Sequence, residues 1–322
     1  MSIPGISHAI SSEVTQSLEA LQFDLSDWDK NPRIGGLLSQ TVLVGGKRLR
    51  PLLTLLMGDL FGCSHDEIKS LAQVVELVHA ATLAHDDVVD DANVRRGEPS
   101  INAVSTNKKA VLAGDYLLAH SLAEVAKYGS PALVSCLSEI ISDLAEGEWI
   151  QIENAEKPNL SRADVDLVAL KKTGSVLRWC SEAPTLHLGL EKEITEKARE
   201  FGECLGIAFQ MTDDILDFKR RDGAEFADLK NKVINSVIFE ALTLKNDLTE
   251  LDTAAIDELE LDPKYIDIAL EVVGKRVGER LDRCRQLALE FSQRPIDESK
   301  QAARQNAFMS VSCIIEYLAN RI

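Results

Sequence analysis

Apolar residues recur three or four positions apart along nearly the whole chain. Leu71, Val74, Val75, Val78, Thr82 and His85 form one such row, the signature of a buried helix face. The same period runs through Ala110–Lys127, Ala132–Ile152, Leu167–Cys180, Ile194–Phe218, Val233–Leu244, Tyr265–Ser292 and Gln301–Leu318. No run of alternating β-branched residues between turn signals competes with it. Pro51 follows the Gly45-Gly46 turn early in a helix, where a missing amide proton costs little. Asn159 to Ser161 and Asp222-Gly223 read as loops, and neither a linker nor a fixed-period repeat interrupts the pattern. The expectation is an all-α chain, one domain over residues 1–322, with about ten or more helices at ordinary helix lengths.

Composition supports this. Of the 322 residues 45% are hydrophobic, enough for a large core, and helix breakers are few at 18 Gly and 9 Pro. The 35 basic and 52 acidic residues give a net charge of −17, which argues against nucleic acid and anionic lipid as partners. Any anionic ligand then needs a local cluster of cations. The six cysteines are scattered without a CxxC pair, as suits reduced thiols. The N-terminus, Met1-Ser2-Ile3-Pro4-Gly5, lacks a basic-then-apolar layout, and the most apolar stretch, Val111–Val125, is broken by Asp115, His120 and Glu124. These features lead us to expect a cytoplasmic protein with no integral membrane segment.

Two aspartate clusters change the picture from fold to chemistry. Asp86-Asp87-Val88-Val89-Asp90-Asp91 closes a long apolar helix that begins near Glu67, and Asp213-Asp214-Ile215-Leu216-Asp217 lies late in the helix from Ile194. Positions i and i+4 share a helix face, so Asp86 with Asp90, and Asp213 with Asp217, each present paired carboxylates. Hard oxygen pairs suit Mg²⁺, which bridges to phosphate. A single acidic cluster is more often a solvated helix end. Two DDxxD clusters, both embedded in apolar sequence, favour a metal site, because charge on a core-facing helix needs a partner. Cations are at hand: Gly45-Gly46-Lys47-Arg48-Leu49-Arg50-Pro51 places three within four residues, and Arg95-Arg96-Gly97 follows the first cluster. Both read as diphosphate clamps. Glu76 and His79 form an ExxH pair, but a di-iron bundle needs two such pairs, and no other histidine has Glu three positions before it.

These motifs closely resemble the polyprenyl synthetases, the trans-isoprenyl diphosphate synthases. The resemblance is carried by Gly45–Pro51, Val75 through Asp90, Asn93–Ser100, Leu112–Leu118, Glu146-Gly147-Glu148, Lys172-Thr173-Gly174 and Phe209-Gln210 leading into Asp213–Asp217. It implies a helical bundle around a central cavity, the type I isoprenoid synthase fold, and a homodimer. It also implies that Lys47, Arg50, His79 and Arg96 hold isopentenyl diphosphate, while Arg95, Lys172 and Lys232 contact the allylic diphosphate. Asp86, Asp90 and Asp213 would carry three Mg²⁺ ions per active site, with Asp87, Asp214 and Asp217 acting through water or as support. Thr173 and Gln210 would turn oxygen dipoles toward an allylic carbocation.

The chain departs from the family's pattern in places. Gly223 is followed by Ala224 where a lysine is usual, leaving Lys219, Arg220 or Arg221 as substitutes; Asn231-Lys232-Val233 keeps only its lysine, and Trp149, Arg178 and Trp179 are bulky. A type I terpene cyclase would leave the second set of cations unexplained, and a non-catalytic subunit would be free to lose its aspartates. Ala81 and Thr82, just before Asp86, are small where short-chain relatives often carry an aromatic, and the first motif lacks a two-residue insertion. A long-chain product is therefore expected over farnesyl or geranylgeranyl diphosphate, with an open tunnel floor at Ala81.

Overall fold

A computed structural model describes residues 10–21, 31–43, 45–95, 97–220, 233–253 and 261–322. Helices dominate, and their ends obey local chemistry. In α1 (Ser12–Glu19) the Ser11 side chain accepts from the Val14 amide. After α2 (Pro32–Gln40) comes α3 (Leu49–Phe61), closed by Gly62 at φ 93, a left-handed conformation that favours glycine. A β-carbon at Gly62 would also lie 2.9 Å from Ile296 Cδ1. The last carbonyls of α3 receive two cations: Arg304 Nε donates to Leu60 O at 2.8 Å and Lys300 Nζ to Gly62 O at 2.6 Å. A capping box between Ser64 and Glu67 starts α4 (His65–Val89), so this helix begins two residues earlier than periodicity suggested. A two-residue hairpin, β1 (Val94–Arg95) with β2 (Glu98–Pro99), and the short α5 (Ile101–Val104) lead into α6 (Asn107–Ala126) and α7 (Pro131–Asn154).

The second half holds the largest departure. The stretch Leu167–Cys180, expected as one helix, is three pieces: the end of α8 (Arg162–Ala169), a π-helical turn (Leu170–Gly174) and the start of α9 (Ser175–His187). Then follow α10 (Lys192–Arg220), α11 (Ser236–Asn246), α12 (Pro263–Ser292) and α13 (Gln301–Ala319). Leu160-Ser161, expected as loop, pairs as a strand with Glu250-Leu251. Asp222-Gly223 lies outside the described residues. Among the described residues no helix is long and apolar enough to cross a membrane.

The chain divides into two compact units: Met1–Glu139 with Trp179–Thr195 and Pro295–Ser310, and Ile140–Arg178 with Glu196–Arg294 and Val311–Ile322. In the first, α4 packs on α3 and α6, and Leu38, Leu77, Ala81, Ile101 and Leu117 belong to one core. Ala81, expected to face an open tunnel, is fully enclosed there. With no exposed surface, Ala81 does not face an open tunnel; Thr82, the other residue of the expected floor, is half-buried. Trp179 is also wholly buried and donates to Leu71 O at 3.0 Å. In the second unit α11 packs on α12, and buried Glu240 receives Arg162 at 2.6 Å and Arg276 at 3.2 Å. None of the six cysteines forms a disulfide; burial pushes the thiols of Cys63 and Cys180 up to about 12, leaving both unreactive.

His65 ties α1 to α3. Its Nε2 lies 3.0 Å from Asp59 Oδ1 and its Nδ1 2.7 Å from Ser17 Oγ. The bond to Asp59 raises the histidine above its ordinary value, with Glu13 and Asp66 adding to it, while burial raises Asp59. A raised histidine contributes stability that is complete below its unfolded value and lost as pH rises through the folded one. Thermal stability should therefore fall, as pH rises upward from the ordinary histidine range, by more in the native protein than in His65→Gln. Parallel melting curves against pH would rule this out.

Candidate functional site

The first acidic motif ends α4. Asp87 is wholly buried: its Oδ1 accepts from Arg95 Nε at 2.5 Å and its Oδ2 from the Ile101 amide at 3.4 Å. The Asp87 carbonyl accepts from Asn102 Nδ2 at 2.9 Å. One residue thus ties α4 to the hairpin and to the first turn of α5. Asp86 is half-buried and Asp90 exposed, and the Asp90 amide donates to Asp86 O at 2.8 Å, so the pair keeps its helical spacing. His85 Nε2 lies 3.1 Å from Val111 O and 3.4 Å from Asp115 Oδ1. A β-carbon at Gly114 would come within 2.2 Å of that nitrogen, which explains the glycine in Leu112–Asp115.

The three neighbouring cations of the glycine loop are not one clamp. Arg48 adopts a left-handed conformation at φ 51 and turns inward, donating to Glu76 Oε1 at 2.9 Å and Leu43 O at 2.6 Å. Burial forces this pairing, and it also accounts for Glu76 of the ExxH pair. Lys47 stays exposed after Gly45 and Gly46, both at positive φ, and Arg50 is half-buried in the first turn of α3. His79 is half-buried on α4. Arg96 lies outside the described residues, as do Lys232, Ala224 and Arg221.

The second motif lies in the last turns of α10 and repeats the plan. Asp214 is buried and accepts from Gln210 Nε2 at 3.0 Å, the Ser236 amide at 3.0 Å and Ser236 Oγ at 2.6 Å. Asp213 is 44% exposed, with Arg321 Nη1 at 3.9 Å, and Asp217 is half-buried. Gln210 Oε1 accepts from Thr173 Oγ1 at 2.8 Å, so a chain of bonds runs Thr173, Gln210, Asp214, Ser236. Both amide atoms of Gln210 are thereby oriented. Thr173 and Lys172 sit on the π-turn, a rare form that recurs at functional sites. Lys172 pairs with Glu148 and donates to Gln151 Oε1 at 3.1 Å. Of the bulky residues, Trp149 is 67% exposed and donates to Glu153, while Arg178 is buried beside Asp143.

In both motifs, then, the first aspartate keeps solvent contact and the second is buried on the first residue of a following helix. Those helix-start amides favour a negative charge. Ser236 and Asn102 were missed from sequence, and Arg48, expected in a diphosphate clamp, is an inward structural cation instead; only Asn235, which accepts from the Val237 and Ile238 amides as the cap of α11, left a local signal. Among the described residues no three carboxylate, imidazole or thiol groups form a closed metal cage. Paired outward carboxylates fit Mg²⁺, which takes one or two protein oxygens and completes its shell with water and phosphate.

Comparison with known proteins gives the same direction. The polyprenyl synthetase family model matches residues 31–264. Solanesyl diphosphate synthase 3, chloroplastic/mitochondrial, of Arabidopsis thaliana is 34% identical over 270 residues, covering 77% of this chain and 63% of that protein. The chain spans less than two thirds of the length of this and the other leading curated relatives. A decaprenyl diphosphate synthase from Rhodobacter capsulatus has a TM-score of 0.78 at 26% identity over 96% of each chain. A polyprenyl synthase from Caulobacter crescentus, complexed with calcium and isoprenyl diphosphate, has 0.68 at 26% over 93% of each. The all-helical architecture is the type I fold of these synthases.

Proposed function

The chain belongs to the polyprenyl synthetase family, and we propose that it condenses isopentenyl diphosphate with an allylic diphosphate. The observation that carries this reading is the repeated motif design, outward first carboxylate and buried second one, with Lys172 and Thr173 on a π-turn bonded to the second motif. Asp86, Asp90 and Asp213 would hold Mg²⁺, with Asp217 ordering water beside it. The bound metal supplies positive charge that stabilises the leaving diphosphate. Lys172, Arg95 and Lys232 add fixed charge to the same leaving group. The allylic carbon–oxygen bond breaks, and Thr173 Oγ1 and Gln210 Oε1 place oxygen dipoles near the resulting cation. Lys47, Arg50, His79 and Arg96 orient isopentenyl diphosphate so that its alkene forms the new carbon–carbon bond. The released diphosphate takes the proton. Apolar surroundings keep water from quenching the cation.

A long-chain product is supported by the relatives that carry solanesyl and decaprenyl names, not by the space at Ala81. The test is the purified chain alone with both substrates and Mg²⁺. We expect a polyprenyl diphosphate beyond geranylgeranyl length from a homodimer of twice 35.4 kDa. Consumption of the allylic substrate only would indicate a cyclase, and activity only after a partner is added would indicate a subunit.

The two diphosphate sites separate by kinetics. Lys47→Ala raises KM for isopentenyl diphosphate about ten- to a hundredfold, since a charge-assisted contact contributes roughly 1.5–3 kcal/mol. An effect confined to the allylic substrate would invert the assignment.

A further inference from the structure

The π-turn needs an account of what holds it open. In Leu170–Gly174 the Ser175 amide bonds five residues back, to Leu170 O. One extra residue is accommodated in this turn, a costly arrangement that persists only where its surroundings over-determine it. Here they do so on two sides. A β-carbon on Gly206 would lie 2.5 Å from Gly174 Cα, so α10 and the turn meet backbone to backbone. On the other side, a β-carbon on Gly147 would lie 2.8 Å from both Lys171 Cβ and Lys172 Cγ. The two lysine stems therefore straddle Gly147 of α7, and its neighbours take one each: Glu146 holds Lys171 at 2.6 Å and Glu148 holds Lys172.

Asp143, one turn earlier on α7, joins the two ends. Its Oδ1 lies 2.5 Å from Lys171 Nζ and its Oδ2 lies 3.3 Å from Arg178 Nη1. Lys171 is inside the widened turn, and Arg178 lies beyond it on α9, buried, with Glu203 at 3.8 Å. One carboxylate thus staples the chain across the extra residue. If the turn relaxed to an ordinary helix, one side would rotate by roughly 100° relative to the other, from 3.6 residues per turn. Thr173 would then leave Gln210, and Lys172 would swing away from its present direction.

We propose that Asp143, clasped by Arg178 and gripping Lys171, is a positioning residue that fixes the π-turn presenting Lys172 and Thr173 to the allylic diphosphate. The proposal rests on the roles given above to Lys172 and Thr173. It acts on geometry and not on substrate contact, so its effect belongs in turnover. A displacement of about 1 Å at reacting groups can cost a hundredfold.

Steady-state kinetics on Asp143→Asn, Arg178→Met, Arg178→Lys and Lys172→Ala test it, with thermal melts of each. Asp143→Asn and Arg178→Met are expected to lower kcat about ten- to a hundredfold, with KM for isopentenyl diphosphate within about twofold. Arg178→Lys, which keeps the charge, recovers most of the rate. Lys171→Met gives the same loss should Asp143→Asn fold poorly. Variants that lose melting temperature but keep wild-type kcat per folded molecule, while Lys172→Ala is impaired, would overturn the positioning role alone. Full turnover in Lys172→Ala would overturn the underlying reading of the turn, and the positioning role with it.

Discussion

Asp86→Ala and Asp213→Ala each lose about 10²–10³ in kcat, the scale of removing one preorganised electrostatic contact to a developing charge, while melting no earlier than the native protein. The second half follows from position. Asp86 stands in the last turn of α4, where the negative end of the helix dipole already disfavours a carboxylate, and Asp213 stands about two turns before the end of α10, beside Asp214 and Asp217. Neither is buried, so alanine leaves no cavity, and Arg321, 3.9 Å from Asp213, can recover water. Each change relieves like-charge repulsion along its own motif, by a few tenths of a kcal/mol to about 1 kcal/mol. Function is thus held at a small cost in stability. Mg²⁺ titrations of rate, alongside thermal melts, read both halves. Near-wild-type turnover in either variant, or full activity in excess chelator, would remove these aspartates from the metal site.

Much of this was legible in sequence, and the limits have physical causes. Both acidic motifs, their place near helix C-termini and the cations around them follow from period and spacing alone. What spacing does not show is which aspartate of an adjacent pair is buried. That choice depends on donors eight to 22 residues away in the chain, Arg95 and Ile101 for Asp87, Ser236 for Asp214. The π-turn was invisible because a single extra residue hardly disturbs the apolar rhythm from Leu167 to Cys180. Lys47, Arg48 and Arg50 are equivalent cations on paper; only the inward turn of Arg48 onto Glu76 separates them. Ala81 misled for a related reason. A small residue next to a motif suggests open space, but space is set by its neighbours.

The buried second aspartates predict the opposite phenotype, and they differ from each other. Asp214→Ala removes one carboxylate that satisfies Gln210, the Ser236 amide and the Ser236 hydroxyl, all at a buried site. Breaking such a network by deleting one partner destabilises by about 3–5 kcal/mol, and it frees Gln210 from the geometry that Thr173 shares. Both stability and turnover fall. Asp87→Ala strands Arg95, but that side chain is 27% exposed and can recover water, so the loss is nearer 1–3 kcal/mol. Denaturant midpoints of the two variants, compared at equal slope, settle the order. A smaller loss in Asp214→Ala than in Asp87→Ala, or a wild-type midpoint in either, would mean these carboxylates do not anchor the helices that follow them.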